Sequence, residues 1–512
     1  MQKLRLIIIL SSFFLQCFVF SGCEHESSPL VFSEIDLHRF SRDHKGFNLL
    51  GKYDIGWSNN GFTEEEFAIV KDLGFNFVRL PIDYRTYTQS GNWDAFIEDE
   101  LAEIDKALEY GDNYGIHICI CLHRAPGYCV NPATDLPANQ NIDLWSDATA
   151  QKAFLNHWEY LSRRYKDIPW EKLSFNLVNE PKDIDESVYV TLMKKAIDRI
   201  QAVQPDRIIF VDGLNYSRQI LNSFSDRKNI IQAVHVYDPM QLTHYKAEWV
   251  SGADNWPLPV WPMTDINMYL FGPWQSKYQS SLIINGAFPK DMEVFINVRQ
   301  VSVQAKLEMK LDNNIIYSKS FVCNSEPGVD WTQIISTQWG YQNISNKDYG
   351  TTLPATGSKL TFSITSGDWI SFNRLIFKYP DNTFEIIPAN TEWGTKQSEY
   401  TITAEGKITD TEGTQVVPLG NLAERLKSAE SQGIPVMVQE FGVYNKTPHK
   451  VSVDYLNDVV SIFNSHHIGY SMWNMIGTMG IINSGRTDCD YENYRGKSLD
   501  RQMTEIIRKT GK

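Results

Sequence analysis

The chain has 512 residues, 42% of them hydrophobic, and its 48 basic and 62 acidic residues leave a formal net charge of −14. That length allows more than one domain and a sizeable core, while the acidic balance excludes a surface built to neutralise nucleic-acid phosphates. Aromatic residues reach 12%, with 14 Trp and 24 Tyr, which suits stacking on the apolar faces of sugars and equally the packing of β-rich cores.

The first residues form an export signal. Lys3 and Arg5 lead into an apolar run from Leu6 to Phe20 that is short for a spanning helix. The sequence Val19-Phe20-Ser21-Gly22-Cys23 resembles the cleavage box of bacterial lipoproteins. That resemblance implies removal of residues 1–22, lipid on Cys23, a lipidated linker over 23–35 and anchoring to the outer membrane through that lipid only. Glu24-His25-Glu26 resembles the acidic tag that sends some lipoproteins to the cell exterior. Of the remaining cysteines, Cys119, Cys121, Cys129, Cys323 and Cys489 are odd in number and cannot all pair. Cys119 and Cys121 fall on one face of a strand. Their spacing to Cys129 fits no common zinc pattern, so they read as core thiols.

From residue 36 to 271 short apolar strands alternate with helical stretches. The pattern predicts strands at Phe47–Gly51, Asn76–Leu80, Ile116–Leu122, Leu173–Val178, Arg207–Val211 and Ile231–Val236. Between them, Thr63-Glu64-Glu65-Glu66 is a capping box ahead of Phe67, Val70 and Leu73, with Gly74 ending the helix. Ile104, Ala107 and Leu108, then Phe154, Trp158 and Leu161, repeat the helical spacing. The alternation predicts a parallel sheet made by right-handed crossovers.

After six strands the pattern pauses. It resumes over 403–512 with a helix at Leu422–Glu430, a strand at Val436–Gln439, a helix at Val453–Asn464 and a strand at Gly469–Trp473. Six strands and two make the count of a closed (β/α)8 TIM barrel, an α/β fold. The interval 272–402 has another texture. Lys306 to Leu311 and Leu360 to Ile364 alternate polar and apolar, and turn signals such as Asp312-Asn313-Asn314 and Pro380-Asp381-Asn382 separate such runs. This predicts an antiparallel β-sandwich, carbohydrate-binding-like, inserted in the loop after strand six. Loops after strands line the catalytic face of a barrel, so the insert is expected beside the cleft. Trp274, Trp331, Trp339 and Trp369 are its candidate sugar platforms, against the plainer reading of core tryptophans. Trp249, Trp256 and Trp261, in the Trp/Pro-rich stretch before it, are expected at the cleft mouth.

The strand ends carry the chemistry. Arg79 closes strand two, His123 follows strand three, and Asn179-Glu180-Pro181 closes strand four. His235-Val236-Tyr237 closes strand six, Glu440 strand seven and Trp473 strand eight. A barrel core would not choose these groups at six of its eight strand ends, and two glutamates on separate strands make a carboxylate pair facing one cleft.

Together these residues resemble glycoside hydrolase family 5, a retaining β-glycanase family of the cellulase-like clan on the (β/α)8 barrel. The resemblance implies that Glu180 is the acid/base and Glu440 the nucleophile of a double displacement. It implies support or substrate-binding roles for Arg79, His123, Asn179, His235, Tyr237 and Trp473. Arg79 and Tyr237 are expected to hold Glu440, Asn179 to bond a sugar 2-hydroxyl, His235 to orient Glu180, His123 to bond sugar hydroxyls and Trp473 to stack on a sugar. No metal or organic cofactor is expected, and a monomer is. The insert departs from the plain family pattern and leaves the substrate open. A β-glucan and an endo-β-1,4-glucanase-like activity are the default, with mannanase, xyloglucanase, exo-glucosidase and transglycosylase as alternatives on the same site. A catalytically weak surface glycan-binding lipoprotein is the alternative from another class.

Overall fold

The computed structural model describes residues 34–131, 142–256, 258–404, 406–411, 419 and 421–509. The export signal and the lipid site Cys23 lie outside the described residues. Among those residues no helix is long and apolar enough to cross a membrane.

Eight parallel strands close on themselves: β1 (Lys45–Asn48), β2 (Phe77–Asp83), β3 (His117–Ala125), β4 (Leu173–Asn176), β5 (Ile208–Asp212), β6 (Ile230–Val236), β7 (Val436–Phe441) and β8 (Tyr470–Met472). Each pairs with the next in chain order, and β8 returns to β1 through Lys45 opposite Tyr470. Helices Glu64–Asp72, Glu98–Tyr114, Ala148–Arg164 and Glu186–Val203 follow β1 to β4. Leu422–Ser431, His449–Ser465 and Arg501–Arg508 complete the ring. The Thr63 capping box forms as its sequence dictates, with the Thr63 N–H donating to Glu66 Oε2 at 2.8 Å. The segment after β5 departs from the repeat. It holds only the short turn Leu214–Ser217, in which Asn215, Tyr216 and Ser217 all have φ near +54 to +60°.

Strand alternation sorts the barrel interior into layers. Phe77, Cys119, Phe210, Ala233 and Met437 fill its lower end, closed from below by Leu37 and Phe40 of the helix Leu37–Asp43. Two residues further along the same strands stand Arg79, Cys121, Asp212 and His235. The sequence thus places an apolar plug and a polar upper layer on one set of positions. The strands also approach closely. A Cβ on Gly46 would sit 1.6 Å from the Phe77 carbonyl oxygen, so Gly46→Ala is expected to part β1 from β2 and cost about 3 kcal/mol or more. Urea denaturation of the two proteins checks this.

Between β6 and β7 stand two antiparallel sheets. Tyr269–Phe271, Trp369–Lys378, Glu293–Val301, Ile344–Thr352 and Thr383–Ile386 make one. Asn314–Val322, Gln304–Leu311, Gly357–Gly367, Leu282–Phe288, Glu399–Ile402 and Ile408–Thr409 make the other. Only Leu282–Phe288 and Glu399–Ile402 run parallel within them. Leu282, Ile296, Leu307, Phe362 and Phe372 belong to the core between the sheets, which is separate from the barrel core. The sheets reach past both ends of the interval 272–402, to Tyr269 and to Thr409. The short edge strands explain this, since two or three residues are too few to show an alternation. A parallel pair, Thr264–Asn267 with Pro388–Asn390, leads from the barrel into the insert. Beside it Met263, Ile387 and Ala389 pack on the barrel core.

Candidate active site

Glu440 reaches the cleft by a register change. Val438 lies opposite Val234 of β6, yet Glu440 lies opposite His235, so Gln439 is an extra, bulged residue. Met437 and Glu440 are three apart, and strict alternation would place them on opposite faces. The bulge turns Glu440 inward above Met437. There Arg79 donates from Nη1 to Glu440 Oε1 at 2.6 Å and Tyr237 donates its hydroxyl to Oε2 at 3.0 Å.

Glu180 is held differently. The β4 ladder ends at Asn176, and Glu180 follows on a turn with φ +49°, a left-handed conformation that costs a non-glycine residue free energy unless neighbours hold it. Asp212 accepts its N–H at 2.8 Å, and the Tyr128 hydroxyl donates to its carbonyl oxygen at 2.5 Å. Its side-chain Oε1 lies 2.8 Å from His235 Nδ1. One donor atom each of Glu180, His235 and Glu440 lie within 4.8 Å of one another. These three could ligate a metal by atom type, but Arg79 and Tyr237 occupy both oxygens of Glu440 and His235 meets one oxygen of Glu180.

Arg79 is the hub. Fully buried, it donates to Glu440, to Asn48 Oδ1 at 2.9 Å, to Asn176 Oδ1 at 3.0 Å, to Asn179 Oδ1 at 2.7 Å and to Cys121 Sγ at 3.1 Å. Asn179 is thereby fixed by its oxygen, and its Nδ2 has no partner among the described residues. It is free to donate to a substrate.

The charges follow from burial and neighbours. Burial pushes the Glu440 carboxyl above the usual range, against the opposing pull of His235 and Arg79. Burial disfavours the His235 cation, but Glu440, Glu180 and Asp212 around it outweigh that and raise it above its ordinary value. Burial and Glu440 push Tyr237 well up, so it stays a donor. Burial drives His123 well down, with Arg124, Arg79 and His235 acting the same way, so it faces the cleft as neutral imidazole. Its ring lies 5.6 Å from that of Trp473 and 4.7 Å from that of Tyr53.

All eight barrel residues singled out by the sequence thus meet in one place. Asn48 and Asp212 join them, at the ends of β1 and β5, the two strands whose ends drew no attention. Asp212 carried the same signal as the others, a polar residue closing an apolar run, whereas Asn48 sits inside Phe47-Asn48-Leu49-Leu50 and carried none. Asp212 takes Asn176 Nδ2 at 2.7 Å and Ser217 Oγ at 2.7 Å besides the Glu180 N–H, and lies 3.6 Å from His235 Nε2. The left-handed turn at Ser217 is what brings that hydroxyl back. Asp212→Ala is expected to lower kcat by about 10- to 100-fold with a smaller change in KM, because it frees the backbone of Glu180 rather than a sugar contact. Steady-state kinetics on a short aryl glycoside checks the split.

The tryptophans before the insert divide. Trp261 donates to Asp458 Oδ2 at 2.9 Å and packs edge-on against Tyr455, so it ties the segment to helix His449–Ser465 and offers no platform. Trp249 is 54% exposed, with its ring 4.8 Å from Tyr444 beyond the end of β7. Among the described residues the five cysteines form no disulfide with one another, and four of them are buried. Cys489 lies with His449 and Asp500 in a second group of closely spaced donors. There His449 Nε2 meets Asp500 Oδ2 at 2.8 Å while Asp500 Oδ1 accepts the Met503 N–H and caps the last helix.

Comparison with known proteins agrees with this geometry. Residues 40–269 match the cellulase family, glycosyl hydrolase family 5. Endoglucanase C of Acetivibrio thermocellus is 30% identical over 194 residues, 37% of this chain and 54% of the relative. Cellodextrinase A of Ruminococcus flavefaciens is 28% identical over 218 residues, 40% of this chain and 61% of the relative. The chain therefore spans about half the length of the endoglucanases it matches, 54%. Among solved structures, a glycoside hydrolase at 23% identity superposes with a TM-score of 0.57, covering 91% of this chain and 98% of its own. Endoglucanase Cel5A of Thermotoga maritima, at 14% identity, gives 0.51 over 92% and 100%. These two share the fold. The match over residues 40–269, with the carboxylate pair in place, makes this part of the chain similar to the cellulase family, glycosyl hydrolase family 5.

Proposed function

We propose that this chain is a retaining glycoside hydrolase that cleaves β-linked polysaccharide or oligosaccharide, with a β-glucan as default substrate and endo-β-1,4-glucanase-like action. The observation that carries this reading is that Glu180 and Glu440 face each other with one carboxylate oxygen of each within 4.8 Å of the other. So close an approach suits the carboxyl spacing of about 5–5.5 Å that retaining enzymes keep. Glu440, aimed by Arg79 and Tyr237, attacks the anomeric carbon. Glu180 gives its proton to the leaving oxygen, and the glycosyl–Glu440 ester forms. Glu180 then takes a proton from water, which attacks the same carbon and releases Glu440. Asn179 Nδ2 bonds the sugar 2-hydroxyl as charge develops, and Trp473 stacks on the sugar beside His123.

Export and lipidation at Cys23, outer-membrane anchoring with the barrel facing the cell exterior, and a monomeric state belong to the same proposal. The support for export and anchoring is the sequence Val19-Phe20-Ser21-Gly22-Cys23 and the acidic residues after it. Labelling with a radioactive fatty acid, with Cys23→Ala as control, tests the anchor.

Incubation with mixed-linkage β-glucan, carboxymethyl cellulose, xyloglucan and mannan, followed by sizing of reducing products, tests the activity. Release of sugar from none of them would leave only the glycan-binding lipoprotein. Proton NMR of the first product from a β-glycan should show the β-anomer, and an α-anomer appearing first would rule out retention.

A further inference from the structure

The insert carries a group of aromatic rings that neither its own core nor the barrel core includes. Along the edge strand Tyr269–Phe271, Leu270 points into the sandwich core, so Tyr269 and Phe271 lie on the outer face of the sheet. Trp369, paired with Phe271 across the strands, joins them there. Trp393 closes over all three, with ring centroids 5.1 Å from Tyr269, 4.9 Å from Phe271 and 5.4 Å from Trp369, each near perpendicular. Trp369 is 7% exposed beneath it, whereas Trp393 keeps 47% of its surface open. Of the two readings open for Trp369, platform or packed tryptophan, the structure favours the second: a neighbouring indole covers it. Trp331, packed against the sandwich core, offers none either.

The loop that presents Trp393 is fastened. Asn267 Nδ2 donates to the Glu392 carbonyl oxygen at 2.7 Å. Gln397 Nε2 donates to the carbonyl oxygens of Asn267 at 2.6 Å and Tyr269 at 2.8 Å, and its N–H donates to Ser280 Oγ at 2.7 Å. A large apolar ring held rigid and half open loses little conformational entropy when a ligand stacks on it. The loop continues the parallel pair Thr264–Asn267 with Pro388–Asn390, beside which Met263, Ile387 and Ala389 pack on the barrel core.

We propose that Trp393, backed by Tyr269, Phe271 and Trp369, is a non-catalytic stacking site for the pyranose rings of the β-linked glycan that the cleft cleaves. This rests on the glycanase reading of the cleft. Its ligand class follows from the surface: a flat, half-open indole face matches the apolar face of a sugar ring. The site would hold a long chain beside the cleft and add to affinity for polymer without touching the bond that breaks.

The test compares the full-length chain with Trp393→Ala and Trp393→Phe, and with Trp339→Ala as a control. Trp339 is a 72% exposed indole elsewhere on the insert. Retardation in native gels containing the best soluble polysaccharide of the panel reads binding, and hydrolysis of p-nitrophenyl β-cellobioside reads the cleft. Trp393→Ala is expected to weaken retardation about 5- to 20-fold, in line with about 1–2 kcal/mol for a lost stacking contact. Trp393→Phe should retain part of the binding, and neither should change turnover of the aryl glycoside. Retardation equal to that of the parent, or an equal loss in Trp339→Ala, overturns the proposal while leaving the cleft assignment standing. A loss of aryl-glycoside turnover that matches the loss of retardation also overturns it, because the ring would then serve the cleft or the fold. A parent chain that is neither retarded by nor active on any glycan defeats both readings together.

Discussion

Glu440→Gln and Glu180→Gln are each expected to lower turnover on an unactivated β-glycan by on the order of 10⁴-fold or more, with the fold retained. Glutamine keeps the shape of the side chain: at position 440 its one oxygen can still accept from Arg79 while its Nε2 donates to the Tyr237 hydroxyl oxygen, and at position 180 it can still meet His235, so neither site is left as a hole. The two variants should differ in how they fail. With an activated dinitrophenyl glycoside the leaving group needs no acid, so Glu180→Ala should still form the glycosyl-enzyme and then stall. Azide fits the space of the missing carboxylate. It should rescue Glu180→Ala to a β-glycosyl azide, because the ester on Glu440 shields the other face. In Glu440→Ala, azide replaces the nucleophile itself and should give the α-glycosyl azide. Product stereochemistry by NMR separates the two roles. The same azide anomer from both variants would show that Glu180 and Glu440 do not divide the work as acid/base and nucleophile.

The barrel was legible because its strands are buried on both sides and read as short apolar runs, each closed by a breaker or a polar residue. The fitted strands shift by only a few residues: Phe77–Asp83 for Asn76–Leu80, and Val436–Phe441 for Val436–Gln439. The eight barrel residues of the site were legible for the same reason, since a polar group ending an apolar run stands out. Three things were not. The bulge at Gln439 depends on which residue of β6 faces which of β7, and pairing is not written in either strand alone. Asp212 ends its strand like the others, but its meaning lies in three hydrogen bonds from residues between five and 36 positions away. In the insert, the sequence offered several tryptophans of equal standing. Only packing shows that Trp369 lies beneath Trp393, and the loop that carries Trp393 has no periodicity to draw the eye.

Arg79→Met should be the most damaging substitution of a residue that is not one of the two carboxylates. The Arg79–Glu440 pair is 0% and 5% exposed, and removing one member of a buried pair leaves the other charge without compensation, at about 3–5 kcal/mol. Four further groups, Asn48, Asn176, Asn179 and Cys121, lose their donor at the same time. The loss should depend on pH in a definite direction. In the parent, burial already lifts the Glu440 carboxyl above its ordinary value while Arg79 pulls it down. Without Arg79 it rises further, so the variant's folded state binds the proton more tightly than the parent's. The stability deficit is therefore smallest at low pH, where Glu440 is neutral in both proteins. It grows as pH rises through the parent's Glu440 titration and reaches its full size above that of the variant. The acid limb of kcat/KM should move to higher pH for the same reason, because the nucleophile must ionise against burial with His235 but not Arg79 to favour its charge. Urea midpoints at pH 5 and pH 8, with a pH–rate profile on an activated glycoside, read both effects. A deficit that shrinks with rising pH, or an acid limb that stays in place, would mean that Arg79 serves the packing of the barrel and not the charge of Glu440.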